Sequence, residues 1–360
     1  MKLGARIIKT GIAIILALFV AEWLELPSPV FAGIAAVFAV QPTIYRSYLS
    51  IIEQIQANII GAIIAVLFVL FFGNHVFFVG LGAIIAITII LKLKIENTIG
   101  LALVTLIAIM EAPNEDFIQF ALIRFSTIML GVFSSFLVNL IFLPPKYETK
   151  LYHRIIHVTE EILKWIRLST RHASEHNLLK KDIEKLKEKL MKVDQVYLLY
   201  KEERNYFKQN ERAKIRKLVV FRQMISSTRR SFEVLKRLNR FENEFYQLPE
   251  PIQKTIQETL DCLLTYHEQL LLQFIGKVKH ARDVDQTNML CFTRKELMEM
   301  FLREIETHRL DGDFQPYHLL SLVSAILEYN EHLEHLDTLI CSFHSYHKKD
   351  NEITINEEEE

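Results

Sequence analysis

Residues 117–145 read FIQFALIRFSTIMLGVFSSFLVNLIFLPP. From Phe117 to Leu143 the only ionisable side chain is Arg124. A bilayer's hydrocarbon core takes about 20 mainly apolar residues as a helix. Pro144-Pro145 then stop the run, because proline cannot continue a helix. The stretch predicts a membrane span that carries one guanidinium.

Working outward from it, five more apolar segments precede it: residues 6–24, 28–40, 51–72, 75–91 and 98–110. The second and fifth are short, so a pair of re-entrant segments stands beside two full spans as a reading. The basic start (Lys2, Arg6, Lys9) has the look of a signal peptide, but no small-residue cleavage site closes the first run. It is read as a retained span. The expected domain organisation is a transmembrane domain over 1–145, a helical domain over 146–347 and an acidic disordered tail over 348–360.

Composition divides at the same place. Up to Pro145 there are seven Lys/Arg and seven Asp/Glu, out of 42 and 43 in the chain. Lys2, Arg6, Lys9, Arg46, Lys92, Lys94, Lys146 and Lys150 all fall on one set of alternating ends. The opposite connections, near Glu25, Asn74 and 111–116, hold no Lys or Arg. The positive-inside rule then places both termini in the cytoplasm of a bacterial inner-membrane, multi-pass protein. Six crossings return the chain to its starting side, in agreement.

Spans one to three and four to six enter from opposite sides, so any duplication would be a 3+3 inverted repeat. The short second and fifth segments end in Gln41-Pro42 and Glu111-Ala112-Pro113. Short, proline-interrupted segments at matching positions point to a transporter's midplane site. Ionisable groups in spans default to function. Arg124 either snorkels to an interface or faces the bundle interior, there to hold an anionic substrate or pair with Glu22. Gln54, Gln56 and Asn58 crowd the start of the third span ahead of Gly61, as interhelical bonds or as ligands. The substrate candidates are Arg124, Gln41, Gln56 and Asn58. Glu22 and Glu111, at outer span ends, are the candidates for carrying a coupling proton.

Beyond Pro145 the period changes. Leu179, Ile183, Leu186, Leu190, Val193, Tyr197, Tyr200 and Phe207 alternate steps of four and three, the coiled-coil spacing. Ile256, Leu260, Leu263, His267, Leu270 and Phe274 form a second seam, and 318–343 a last amphipathic helix. Pro249-Glu250-Pro251 and Asp311-Gly312-Asp313 are breaks. The fold class expected is all-α: a six-span bundle followed by a cytoplasmic antiparallel helical or coiled-coil bundle. Residues 146–240 hold 25 Lys/Arg against 12 Asp/Glu, and 241–360 hold 10 against 24. That basic stretch is suited to anionic headgroups, to the acidic helices, or to both; no nucleic-acid module accompanies it.

Three cysteines, Cys262, Cys291 and Cys341, without CxxC spacing, indicate neither a disulfide framework nor zinc, and fit a reducing compartment. His332, His335, Cys341, His344 and His347 share helical spacing, which is polar surface more often than a metal site. Asp283 and Asp285 open a calcium-like loop that lacks its glycine and glutamate. No phosphate loop, nucleophile elbow, HExxH or dinucleotide fingerprint occurs. Neither enzyme activity nor any cofactor or metal is expected.

The second span closing on Ala39-Val40-Gln41-Pro42-Thr43 resembles the aromatic acid exporter family, relatives of the fusaric acid resistance proteins. So does a last span carrying Arg124, Gly131 and Pro144-Pro145. Six spans before a helical domain resemble the short bacterial branch, member 1. The resemblance implies efflux of aromatic carboxylates. Where relatives often open the third span with a basic residue, this chain has Gln56. The function expected is proton-coupled export of small hydrophobic organic anions by a homo-oligomer. The alternative is a non-transporting scaffold or sensor whose helical domain binds lipid or a protein partner.

Overall fold

The computed structural model describes residues 5–73, 75–111, 117–141, 147–171, 176–202, 211–278 and 317–347, with Lys295, Met298, Glu299, Leu302 and Arg303. Every regular element among them is helical. The chain forms two compact units, 1–145 and 146–360. Phe207, Cys291, the Asp283–Asp285 segment and the acidic tail lie outside the described residues.

The first unit holds α1 (Ala5–Trp23), α2 (Val30–Ala39), α3 (Ile44–Phe72), α4 (Val76–Lys92), a 3-10 turn (Glu96–Thr98), α5 (Ile99–Met110) and α6 (Phe117–Ile141). Two of these, over Tyr45–Phe72 and Gln119–Ile141, are long and apolar enough to cross a membrane by length and composition; Val30–Ala39, Val76–Lys92 and Glu96–Met110 are shorter. Helix α3 starts seven residues before the expected 51. Thr43 caps it, its side chain accepting from the Arg46 N–H at 3.1 Å, and so draws the polar Tyr45-Arg46-Ser47 into the first turn.

Small residues line the inside of this unit. Ala13, Ala17, Ala21, Ala32, Ala36 and Ala102 are fully buried, while Ile15, Phe19, Trp23, Leu70 and Phe71 face outward. Helix α6 lies along α2 and α1, and α3 lies along α5. Two glycines permit the closest approaches. A Cβ on Gly131 would collide with the Ala32 carbonyl, and one on Gly61 would stand 2.7 Å from the Ala102 carbonyl. Close backbone contact over small residues is how helices pack where burial from water gives no driving force.

The second unit holds α7 (Tyr147–Thr170), α8 (His176–Glu202), α9 (Glu211–Arg240), the short α10 (Glu242–Tyr246), α11 (Glu250–Phe274) and α12 (Tyr317–His347). Its core is built of large side chains, among them Tyr152, Phe221, Phe274, Tyr329 and Phe343. The expected α8 stripe is buried at Leu179, Leu186, Leu190, Val193 and Tyr200, with Ile183 and Tyr197 packed against it. All six members of the second seam are buried. Pro249 caps α11 and Pro251 sits in its first turn. Arg216–Ser342, Arg230–Glu328 and Arg237–Ser321 contacts, with numbers running opposite ways, make α9 and α12 antiparallel.

One expectation is corrected. Cys262 is disulfide-bonded and Cys341 is a free thiol. Sequence spacing carries no information on which thiols a helical bundle brings together.

Candidate functional site

Polar side chains inside the first unit fall into two groups. The first is a network around Asn139, two residues before α6 ends. Its Oδ1 accepts from the Lys9 ammonium of α1 at 3.0 Å. Its Nδ2 donates to the Gln41 carbonyl at 3.2 Å, the Thr43 carbonyl at 3.2 Å and the Ser47 hydroxyl at 2.7 Å. One side chain thereby ties together α1, α6, the connection after α2, and the first turn of α3. Asn139 thus satisfies two carbonyls of the connection on either side of Pro42, which has no N–H of its own. Sequence reasoning missed both Asn139 and Lys9: an amide in an apolar run and a lysine beside a positive terminus carry no distinguishing signal.

The second group lies deeper, on α3 and α6. Arg124 is 3% exposed, its guanidinium set over the Phe31 ring at the start of α2. Its Nε and Nη2 have no hydrogen-bond partner. No ion pair joins Arg124 to Glu22 among the described residues. On α3, Asn58 is fully buried with Nδ2 unpartnered. The single Thr105 hydroxyl proton stands between the Asn58 Oδ1 at 2.5 Å and the Leu101 carbonyl at 3.0 Å. One turn earlier, Gln54 is 3% exposed; its Nε2 donates to the Ser50 hydroxyl at 3.2 Å and its Oε1 is unpartnered.

Unsatisfied buried donors are costly, and a guanidinium more so than an amide. An aromatic ring answers the positive charge through its quadrupole but accepts few of the five N–H groups. What remains is a cation with directed donors in an apolar setting, suited to a carboxylate attached to a hydrophobic body. Of the other sequence candidates, Gln41 is half-buried and takes part through its carbonyl, while Gln56, Glu22 and Glu111 are exposed.

Residues 1–142 match the family described as "Aromatic acid exporter family member 1". The UPF0421 protein YgaE of Bacillus subtilis (strain 168) is 56% identical over 99% of this chain and 100% of its own length. This chain belongs to the UPF0421 family, and its residues 1–142 belong to the aromatic acid exporter member 1 family. As a member of that family it is a membrane protein. UPF0421 protein OB2406 of Oceanobacillus iheyensis is 33% identical over 52% of this chain, spanning 54% of its own length. A UPF0421 protein of Staphylococcus aureus (strain USA300) is 34% identical over 42% of this chain and 47% of its own. The family match therefore falls on the unit that holds Arg124, Asn58 and Asn139.

The second unit carries buried polar pairs of another kind. Lys217 donates to Glu148 at 2.6 Å, and the Tyr200 hydroxyl donates to the other carboxylate oxygen at 3.0 Å. His267 Nδ1 lies 2.9 Å from the Tyr329 hydroxyl, both groups fully buried. Burial pushes His267 down to about 3, and the Tyr329 phenol well above its usual range. Of the histidine–cysteine stripe, His332 is engaged by Arg230, Gln223 and Ser226, and His344 by the Gln273 carbonyl. No cluster of three metal-ligating side chains occurs among the described residues.

Proposed function

We propose that this protein exports small hydrophobic organic anions, aromatic carboxylates among them, in exchange for protons. The observation that carries the reading is Arg124: a buried guanidinium over an aromatic ring, with two nitrogens unpartnered. A substrate carboxylate would take those donors bidentately while its ring packs against Phe31. Family membership supports the class of substrate.

The proposed frame is a six-span, inner-membrane domain over 1–145 built as a 3+3 inverted repeat, with both termini and the helical domain cytoplasmic. A constant offset of 70 residues supports the repeat. Gly61 meets Ala102 and Gly131 meets Ala32; 131 exceeds 61 by the same 70 as 102 exceeds 32. Leu16, Ala36, Val40, Leu130 and Val138 pack in one cluster. Their counterparts Ala86, Leu106, Met110, Ile60 and Phe68 pack in another. Ile55 and Phe125, also mates, share the central cluster, as residues beside a two-fold axis must. Gln54 and Arg124 are mates as well, each two helical turns before its glycine.

Two chemically unequal mates, an amide and a guanidinium, would then flank the axis, the place where inverted-repeat transporters hold substrate. Asn58 joins them, and Gln41 and Gln56 stand at the approach. Glu22 and Glu111, solvent-exposed carboxylates on the side opposite the cytoplasm, would take up the coupling protons. Six spans make half a conventional transporter, so the working unit is proposed as a homo-oligomer. The size of the second unit favours the alternative, a scaffold or sensor.

The deciding experiment loads cells with labelled benzoate and follows efflux at matched membrane levels of protein. Arg124→Gln should abolish the protein-dependent efflux and Arg124→Lys retain part of it, since lysine keeps charge without the bidentate fork. Efflux unchanged by Arg124→Gln would remove the basis for the site. No difference between cells with and without the protein would leave the scaffold reading. A C-terminal reporter active only outside the membrane would overturn the topology.

A further inference from the structure

The second unit answers its basic surplus unevenly. On α7 and the later part of α9 several cations are paired within the unit. Arg167 forms a bidentate pair with Glu268 of α11 at 2.9 Å, Arg171 reaches Asp261, and Arg230 reaches Glu328 of α12. The earlier part of α9 and the outer face of α8 are treated differently. Arg212, Ile215, Val219 and Arg222 are exposed at steps of three and four, so they form one stripe on α9. On α8, Lys187, Met191, Leu198 and Lys201 are exposed at steps of four, seven and three, so they form a second stripe. Lys187, Lys192, Lys201, Arg212 and Arg222 form no ion pair among the described residues.

The two stripes belong to neighbouring antiparallel helices. The Tyr197 hydroxyl of α8 donates to the Leu218 carbonyl of α9 at 3.4 Å, and the Lys214 ammonium lies over the Tyr200 ring. Met191, Leu198, Ile215 and Val219 are 51%, 51%, 56% and 48% exposed. Large apolar side chains left in water at helical spacing, on helices that also expose Lys187, Lys192, Lys201, Arg212 and Arg222, are the composition of an interfacial membrane-binding face. A purely electrostatic partner such as nucleic acid would not use the apolar members, and no stacking aromatics alternate with them.

We propose that this α8–α9 face docks on an anionic phospholipid surface. The phosphate-bearing headgroups meet the Lys and Arg side chains, and Met191, Leu198, Ile215 and Val219 enter the acyl boundary. Residues 142–146 alone join α7 to α6, so even a weak surface affinity acts at high effective concentration. The inference rests on the cytoplasmic placement proposed above, where the leaflet is anionic, but not on transport.

The test places an indole on the face in the full chain, as Val219→Trp with Trp23→Phe and Trp165→Phe, reconstituted in nanodiscs. In discs containing phosphatidylglycerol, the indole emission should shift to the blue and be quenched by brominated lipid. Both changes should vanish at high salt, and in a variant that adds Lys187→Glu, Lys192→Glu, Arg212→Glu and Arg222→Glu with its helicity retained. Both should be absent in discs of phosphatidylcholine alone. Equal quenching in the two kinds of disc, or none in either, overturns the proposal. Benzoate efflux measured on the same charge-reversed variant separates this outcome from failure of the exporter reading.

Discussion

The two units solve the burial of charge in opposite ways. In the second, Lys217 is nearly buried and its charge is met by Glu148, whose second oxygen is met by Tyr200. In the first, Arg124 is as deeply buried and meets a ring, with two nitrogens left over. Their cores differ in the same sense: Phe, Tyr, Leu and Ile inside the second unit, alanine and glycine inside the first with its large side chains outward. A unit that folds in water gains from burying large apolar area. A unit that folds in lipid gains nothing that way and closes on small residues. An unpaired cation in lipid is costly, and the proposed substrate site rests on that cost.

The sharpest way to break this contrast is at the helix contacts. Gly131→Leu should abolish assembly of the first unit, because the side chain would collide with the Ala32 carbonyl. Detergent extraction followed by size exclusion should show loss of the monodisperse species. Gly11→Leu, with open space around it, should behave as the wild type.

Next in size is the ion pair of the second unit. Lys217→Met strands the Glu148 carboxylate and should destabilise that unit by about 3–5 kcal/mol. Replacing both partners together, Lys217→Met with Glu148→Leu, should recover much of the loss in a thermal melt. A single variant as stable as the wild type would show that the pair is solvated and the contrast with Arg124 unfounded.

A smaller effect comes from His267. Its pKa is lowered from the ordinary 6.5 to about 3, so the unfolded chain binds a proton in that window and the folded chain does not. Above pH 6.5 the residue contributes no pH dependence. As pH falls below it, stability should drop by roughly 1.4 kcal/mol per pH step, levelling off only below the folded value. His267→Gln should flatten this slope in melts at a series of pH values. The smallest effect is on the surface: Lys185→Ala removes an exposed, solvent-screened pair with Asp182 and should leave the melting temperature unchanged.

How much was legible follows from which forces act locally. The all-helical class, the seams Leu179–Tyr200 and Ile256–Phe274, and the interior position of Arg124 as one of two readings are present in spacing and hydropathy alone. The start of α3 was not, because the Thr43 cap lies upstream of where the hydropathy rises. The sequence makes Gln56, and not Gln54, a substrate candidate. Only the helix rotation buries Gln54 and exposes Gln56, since residues two apart face different ways on a 3.6-residue turn.

By itself, then, the sequence determined which half of the chain suits lipid and which water, where each helix has its apolar stripe, and that one guanidinium sits inside an apolar run. Those are properties of composition and period, set residue by residue along the chain. Tertiary structure alone decided that Gly131 meets Ala32 as Gly61 meets Ala102, that Asn139 gathers Lys9, Gln41, Thr43 and Ser47, and that Phe31 rather than Glu22 answers Arg124. Each joins residues from different helices, some of them about 100 positions apart in the chain. Packing of whole surfaces selects such contacts, and no local preference encodes them.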